Sequence, residues 1–264
     1  MRDKKNDVRY RRTGLALKEV QQMGFLDKLF GKSNESKEME SMSNTKVAVI
    51  FYSMGGTNYQ MAKWAAEAAE AKGAEVRVLK VQELAPESVI EGNPVWKATV
   101  EATKDVPVAA SEDLEWADAI IFSTPTRFGN MPSQMKQFLD IQGGLWASGK
   151  TVNKVVSAMS SAQNPHGGQE ATILSLYTSM MHWGAIIVPP GYSDESVFAA
   201  GGNPYGTSVT VDQDGKMVED VQAAVKHQAE RTVTAAEWVK KRKSVINDIK
   251  KRWYLFLFGV LSFY

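Results

Sequence analysis

The chain contains no cysteine. That excludes disulfides, thiolate nucleophiles, cysteine-held metals and iron–sulfur clusters, and it suits a reducing compartment such as the cytoplasm. Histidine is scarce too: there are three, without close ligand spacing, so no metal site is expected. No apolar run of signal-peptide length follows the basic start, so no export signal is read. The longest late apolar stretch, "WYLFLFGVLSF" (Trp253–Phe263), is 11 residues, too short for a bilayer span of about 20. A positive field is also missing from the body. Residues 46–238 carry 14 Lys and Arg against 22 Asp and Glu, which disfavours nucleic acid as a partner. The basic excess lies at the ends: 10 against 7 in residues 1–45, and 7 against 1 in residues 239–264.

Three zones follow. Residues 1–45 form a basic extension expected to be disordered. Within it, "MGFLDKLFG" (Met23–Gly31) puts Phe25, Leu26, Leu29 and Phe30 on one helical face. Residues 46–240 alternate strand and helix signals. Residues 241–264 form a basic and aromatic tail.

In the central zone, "KVAVIFYS" (46–53) is a continuous apolar run, as expected of a strand buried on both faces. Further strands are expected at 74–81, 117–124, 154–160 and 185–190. Helical patterns fill 57–72, 131–142, 168–183 and 218–240. Strands separated by helices imply right-handed crossovers and an α/β fold, a doubly wound five-stranded parallel sheet with helices on both faces. The order 2-1-3-4-5 places ligands at the carboxyl ends of the strands, where the winding reverses. Connections 84–110 and 190–217 exceed ordinary loops and read as lids or subunit contacts.

The loop after the first strand, Ser53, Met54, Gly55, Gly56, Thr57 and Asn58, runs into a helix. Glycines permit close approach, and the helix start offers free N–H groups and a positive dipole end. Such a nest suits a terminal phosphate. It lacks the Gly-Lys-Ser/Thr of a Walker loop and the G-x-G-x-x-G of dinucleotide folds, so a phosphate monoester fits better than a pyrophosphate. A plain strand–turn–helix junction accounts for it equally well. After the third strand, Pro125, Thr126, Arg127, Phe128 and Gly129 make a stiff turn with backbone donors, an aromatic edge and one cation. After the fourth, Ser161, Ala162, Gln163, Asn164, His166 and Gly167 form a polar loop entering a helix. The first also reads as an exposed turn with one solvated Arg, the second as an ordinary helix-entry loop. Trp146 could stack on a planar substrate, and His182 could bond a cofactor or quinone oxygen. A core or interface Trp and a structural His are the plainer readings.

Together "FYSMGG", "TPTRFGN", "FLDIQGGLWASGK", "SSAQN…GGQE", "HWG" and "GGNPYG", in that order, resemble the WrbA family of flavodoxin-like NAD(P)H:quinone oxidoreductases (type IV). The resemblance covers about residues 46–240. It implies non-covalent FMN, NAD(P)H as donor, two-electron reduction of a quinone in a ping-pong cycle, and a homotetramer, a dimer of dimers, with sites near subunit junctions. By match, Ser53–Asn58 hold the FMN phosphate, Pro125–Gly129 line the isoalloxazine, and Ser161–Gly167 contact ribityl and ring. His182, Trp146 and Arg127 are the expected catalytic positions. Two departures stand out. Gly55 occupies a position where the family often has a tyrosine that contacts the nicotinamide nucleotide. "AQNPH" replaces a Gly/Thr-rich stretch and is one residue longer. The alternatives are a flavodoxin-type electron carrier or a non-catalytic FMN-binding interaction protein. The long connections, Trp146 and the modest body charge argue against the carrier. The tail pairs Lys240–Lys243 and Lys250–Arg252 with aromatics, which suits a peripheral membrane contact near a quinone pool; an incidental extension suits it equally.

Overall fold

The computed structural model describes residues 45–261, with side chains through Arg242. The expectations for residues 1–44, including Met23–Gly31, and for the tail side chains from 243 onward lie outside the described residues.

The sheet is built from β1 (Lys46–Phe51), β2 (Glu75–Lys80), β3 (Ala119–Pro125), β4 (Val155–Ala162), β5 (Ile186–Ile187) and β6 (Ser208–Thr210). The first five pair in parallel in the order 2-1-3-4-5. This is the expected doubly wound, flavodoxin-like arrangement, with one addition: β6 pairs with β4. The helices are α1 (Thr57–Ala71), α2 (Glu87–Glu91), α3 (Pro94–Ala102), α4 (Ser111–Trp116), α5 (Ser133–Asp140), α6 (Gly143–Ala147), α7 (Gln169–His182), α8 (Glu195–Ala199) and α9 (Gln222–Leu261). The connections read as long loops, 84–110 and 190–217, therefore contain α2 and α3, and α8 with β6. The helix expected to stop near 240 continues to Leu261.

Period-two alternation sends the central strands' side chains into two cores. Val47, Val49, Phe51 and Ile121 face α1 and α9; Ala48, Ile50, Ile120 and Phe122 face α5 and α7. The inner face of α1 is largely alanine (Ala62, Ala65, Ala66, Ala68 and Ala69), a strong helix former that lets the helix lie close to the sheet. α1 ends in a Schellman motif, with Gly73 N donating to Glu70 O (2.8 Å) and Ala74 N to Ala69 O (3.0 Å).

The far edge of β4 is shared. β5 covers Val155 and Val156, and β6 covers Ser160–Ala162. Between them, side chains take over the ladder. Ala158 N donates to Tyr177 Oη (3.1 Å), and Gln228 Nε2 donates to Ala158 O (2.9 Å). A Cβ on Gly206 would lie 2.0 Å from that same carbonyl, so only glycine passes there. Among the described residues, no helix is long and apolar enough to cross a membrane.

Candidate functional site

Loops from β1, β3 and β4 converge at the carboxyl rim of the sheet. Asn58, 2% exposed, ties them together. Its Nδ2 donates to Ser161 Oγ (2.7 Å), while Ser123 Oγ donates to Asn58 O (3.0 Å) and Asn58 Oδ1 (3.2 Å). The side-chain donor expected for a ligand is thus spent on β3 and β4; what Asn58 offers the rim is its backbone N–H.

Gly56 caps α1 at φ 83°, in the left-handed region, and no side chain caps the helix. The first turn closes from Gln60 N to Gly56 O (2.9 Å). The N–H groups of Thr57, Asn58 and Tyr59 therefore precede the intrahelical ladder, at the positive end of a 15-residue helix. Beside them Ser53 is buried, and its Oγ has no hydrogen-bond partner. Leaving such a group unpaired costs about 1–3 kcal/mol, and an anionic oxygen at the helix start would satisfy it. These residues fit a phosphate monoester. Met54 is half-buried against the α5/α7 core, and Gly55 is exposed with nothing within 4 Å of where a Cβ would sit. On the outer side α3 approaches the same loop, with Thr99 Oγ1 at 3.8 Å from the Cβ position of Gly56.

After β3, Arg127 N donates to Asn130 O (2.7 Å) and Asn130 N to Arg127 O (3.1 Å). Phe128 (φ 54°) and Gly129 (φ 77°) form the two-residue turn between them, which is the type I′ pattern. A non-glycine residue in that conformation costs about 1–2 kcal/mol, yet Phe128 is 99% exposed. The Arg127 guanidinium lies 5.5 Å from the Phe128 ring. It has no carboxylate within 4 Å among the described residues.

The β3 and β4 loops are bonded to each other. Thr126 N donates to Ser161 O (2.8 Å), Thr126 Oγ1 to Gly167 O (3.3 Å), and Thr172 Oγ1 to Thr126 Oγ1 (2.8 Å). Gly168 (φ 92°) starts α7 so close to the β3 turn that a Cβ would lie 2.7 Å from Gly129 Cα. Pro125 closes β3 opposite Ser161. Ala162 is buried beneath Gly167, while Gln163, Asn164 and His166 stand exposed on the loop. The residues expected to bind a cofactor along Ser53–Asn58, Pro125–Gly129 and Ser161–Gly167 thus share one rim.

Trp146 and His182 do not join them. Trp146 Nε1 donates to His182 O (3.0 Å), and both residues sit just before strands, at the amino rim. Adjacent bonds, Thr151 Oγ1 to Trp183 O (2.9 Å) and Asn153 N to Gly184 O (2.9 Å), fix them there. The 8 residues of β4 put the two rims roughly 20 Å apart. Within one chain, neither side chain reaches the loops.

Ser123, Thr172 and Gly168 carry the frame but are not singled out by the sequence reading. A buried serine directly after the apolar run Ala119–Phe122 is a signal at Ser123; Thr172 and Gly168 carry none that is local.

The family model for NADPH-dependent FMN reductase matches residues 45–197. The NAD(P)H dehydrogenase (quinone) of Deinococcus radiodurans is 57% identical over 188 residues, covering 71% of this chain and 94% of that protein. Proteins of the same name are 46% identical over 175 residues in Aromatoleum aromaticum (64% and 84% covered) and 39% identical over 201 residues in Geotalea daltonii (72% and 96% covered). With its phosphate-fitting nest on the doubly wound sheet and these matches, the chain belongs to the NADPH-dependent FMN reductase family.

Proposed function

We propose that this protein is an FMN-dependent NAD(P)H:quinone oxidoreductase of the WrbA type. The observation that carries the reading is the orphaned Ser53 hydroxyl beside the free N–H groups of α1, in a chain whose relatives are named quinone dehydrogenases. When bound, FMN supplies the hydride chemistry. The chain supplies the rest. Ser53 and the N–H groups of Thr57–Tyr59 hold the phosphate. The backbone of Thr126, Arg127 and Phe128 borders the ring, and Ser161–Gly167 border the ribityl chain. The uncompensated Arg127 keeps positive charge at the rim where negative charge develops on reduction. A single open site serving donor and acceptor in turn gives ping-pong kinetics.

Trp146 and His182 reach such a site only from another copy. That supports a homotetramer, a dimer of dimers, in which one subunit's amino rim faces another's carboxyl rim. The exposed apolar side chains Ile141, Trp146, Leu174 and Met181 on α5–α7 and their links are consistent with a covered face. The reading places the protein in the cytoplasm, with the basic and aromatic tail available to a membrane surface.

Thr57→Glu tests the phosphate assignment. Thr57 is 7% exposed, so circular dichroism first establishes that the variant folds; on the first turn its carboxylate suits the helix dipole. A second negative charge about 4 Å from the phosphate costs on the order of 4 kcal/mol at an effective dielectric of 20. The variant is expected to fold and to lose FMN. A folded variant with FMN affinity within twofold of the wild type would refute the assignment.

A further inference from the structure

Glu83 stands in the connection after β2, and its carboxylate gathers five donors. Tyr52 Oη donates at 3.1 Å, Trp96 Nε1 at 3.1 Å and Gln134 Nε2 at 2.7 Å; the backbone N–H groups of Leu84 and Ala85 donate at 2.9 Å each. No cation lies within 4 Å of it among the described residues.

The three side-chain donors come from three parts of the rim. Tyr52 immediately precedes Ser53. Gln134 lies in the first turn of α5, just past the Arg127–Asn130 turn. Trp96, 8% exposed, sits on α3, one turn before Thr99, the residue that approaches Gly56. Burial and the neighbouring carboxylate raise the Tyr52 phenol above its ordinary range, which keeps it a donor. All five partners are donors, so only a group accepting on both oxygens satisfies them. A glutamine of the same size would turn an NH2 toward at least one of them.

We propose that Glu83 is a positioning residue for the cofactor: its carboxylate pins α3 over the glycine loop, fixes that loop against the start of α5, and so sets how long FMN is held. This rests on the FMN reading above. Hydrogen bonds to a charged acceptor are among the stronger ones, and the one from Trp96 ties α3 to the same carboxylate that holds Tyr52 and Gln134.

The test compares wild type, Glu83→Gln, Trp96→Phe and the double variant. It reads FMN release by fluorescence recovery, and amide hydrogen exchange over residues 87–104. Glu83→Gln is expected to speed release about tenfold or more and to raise exchange locally within 87–104. Trp96→Phe, which deletes one donor, gives a smaller effect. The double variant should be little worse than Glu83→Gln alone, because both act through the same contact. If wild type binds FMN and Glu83→Gln releases it at the same rate, the positioning role is overturned and the FMN reading stands. Additive effects, or protection lost evenly across the sheet, also overturn it. Wild type that takes up no FMN overturns the reading itself and this inference with it. If Glu83→Gln does not fold, Tyr52→Phe and Trp96→Phe, each deleting one donor, carry the same comparison: faster release supports the role and wild-type release overturns it.

Discussion

Replacing Gly168 with alanine should damage the rim more than its one added methyl would suggest. Gly168 is at φ 92°, and a Cβ there would meet Gly129 Cα at 2.7 Å, Gly129 N at 3.3 Å and Thr126 Oγ1 at 3.6 Å. Carbon contacts rest at about 3.5–4.0 Å, so the β3 and β4 loops must part by about 1 Å. The left-handed backbone costs alanine about 1–2 kcal/mol, and overpacking against backbone adds about 1–3 kcal/mol. The sum, about 2–5 kcal/mol, lowers the melting temperature by roughly 4–20 °C for a domain of this size. A misplacement of about 1 Å at a binding rim costs up to about 100-fold in function, so FMN affinity should fall between tenfold and that limit. Circular-dichroism melting of the apoprotein reads the first effect, and fluorescence titration with FMN the second. Gly55→Ala is the control, because nothing lies within 4 Å of its Cβ and its φ is not left-handed. It should leave stability within about 0.5 kcal/mol. A Gly168→Ala protein that melts within about 1 °C of wild type and binds FMN within about twofold would refute the close-contact reasoning.

The open space at Gly55 admits the aromatic side chain common at this position in the family, so Gly55→Tyr should fold and lower the KM for NAD(P)H about 2–10-fold, the worth of one aromatic contact; an unchanged KM in steady-state assays removes Gly55 as a determinant of donor binding. Gln228→Leu strips the partners from buried Thr207 N (2.7 Å) and Ala158 O (2.9 Å), at about 1–3 kcal/mol each. Urea unfolding should show a loss of about 2–6 kcal/mol, and a loss under about 0.5 kcal/mol would contradict the view that side chains complete the edge of β4.

The central strands are legible because burial on both faces leaves a plain record: Val47–Phe51 and Ala119–Phe122 are uninterrupted apolar runs, and the parallel order follows from the helices between them. β6 escapes because three residues, Ser208–Thr210, carry no usable period. β5 shrinks to Ile186–Ile187 because Pro189 and Pro190 have no N–H to give a ladder. α3 was within reach. Asn93 caps it, accepting from Trp96 N at 3.1 Å, and Pro94 occupies the first turn, a standard helix start that reads as a break when proline is treated only as one. At the rim, the glycine nest is a local pattern and is visible in the sequence. The contacts that hold it are not. Asn58 reaches Ser161 across 103 positions and Glu83 reaches Gln134 across 51, and no periodicity records such pairings. The division of the site is hidden for the same reason: Trp146 and His182 lie in motifs that follow the flavin loops in sequence, while the crossover helices carry them to the opposite rim.

The most direct test is an anaerobic titration of the purified protein loaded with FMN. The flavin absorbance should bleach on adding NADH or NADPH and return on adding benzoquinone, one equivalent of each per flavin. A colourless protein that ignores added FMN, or bound flavin left oxidised by both nucleotides, would contradict the assignment.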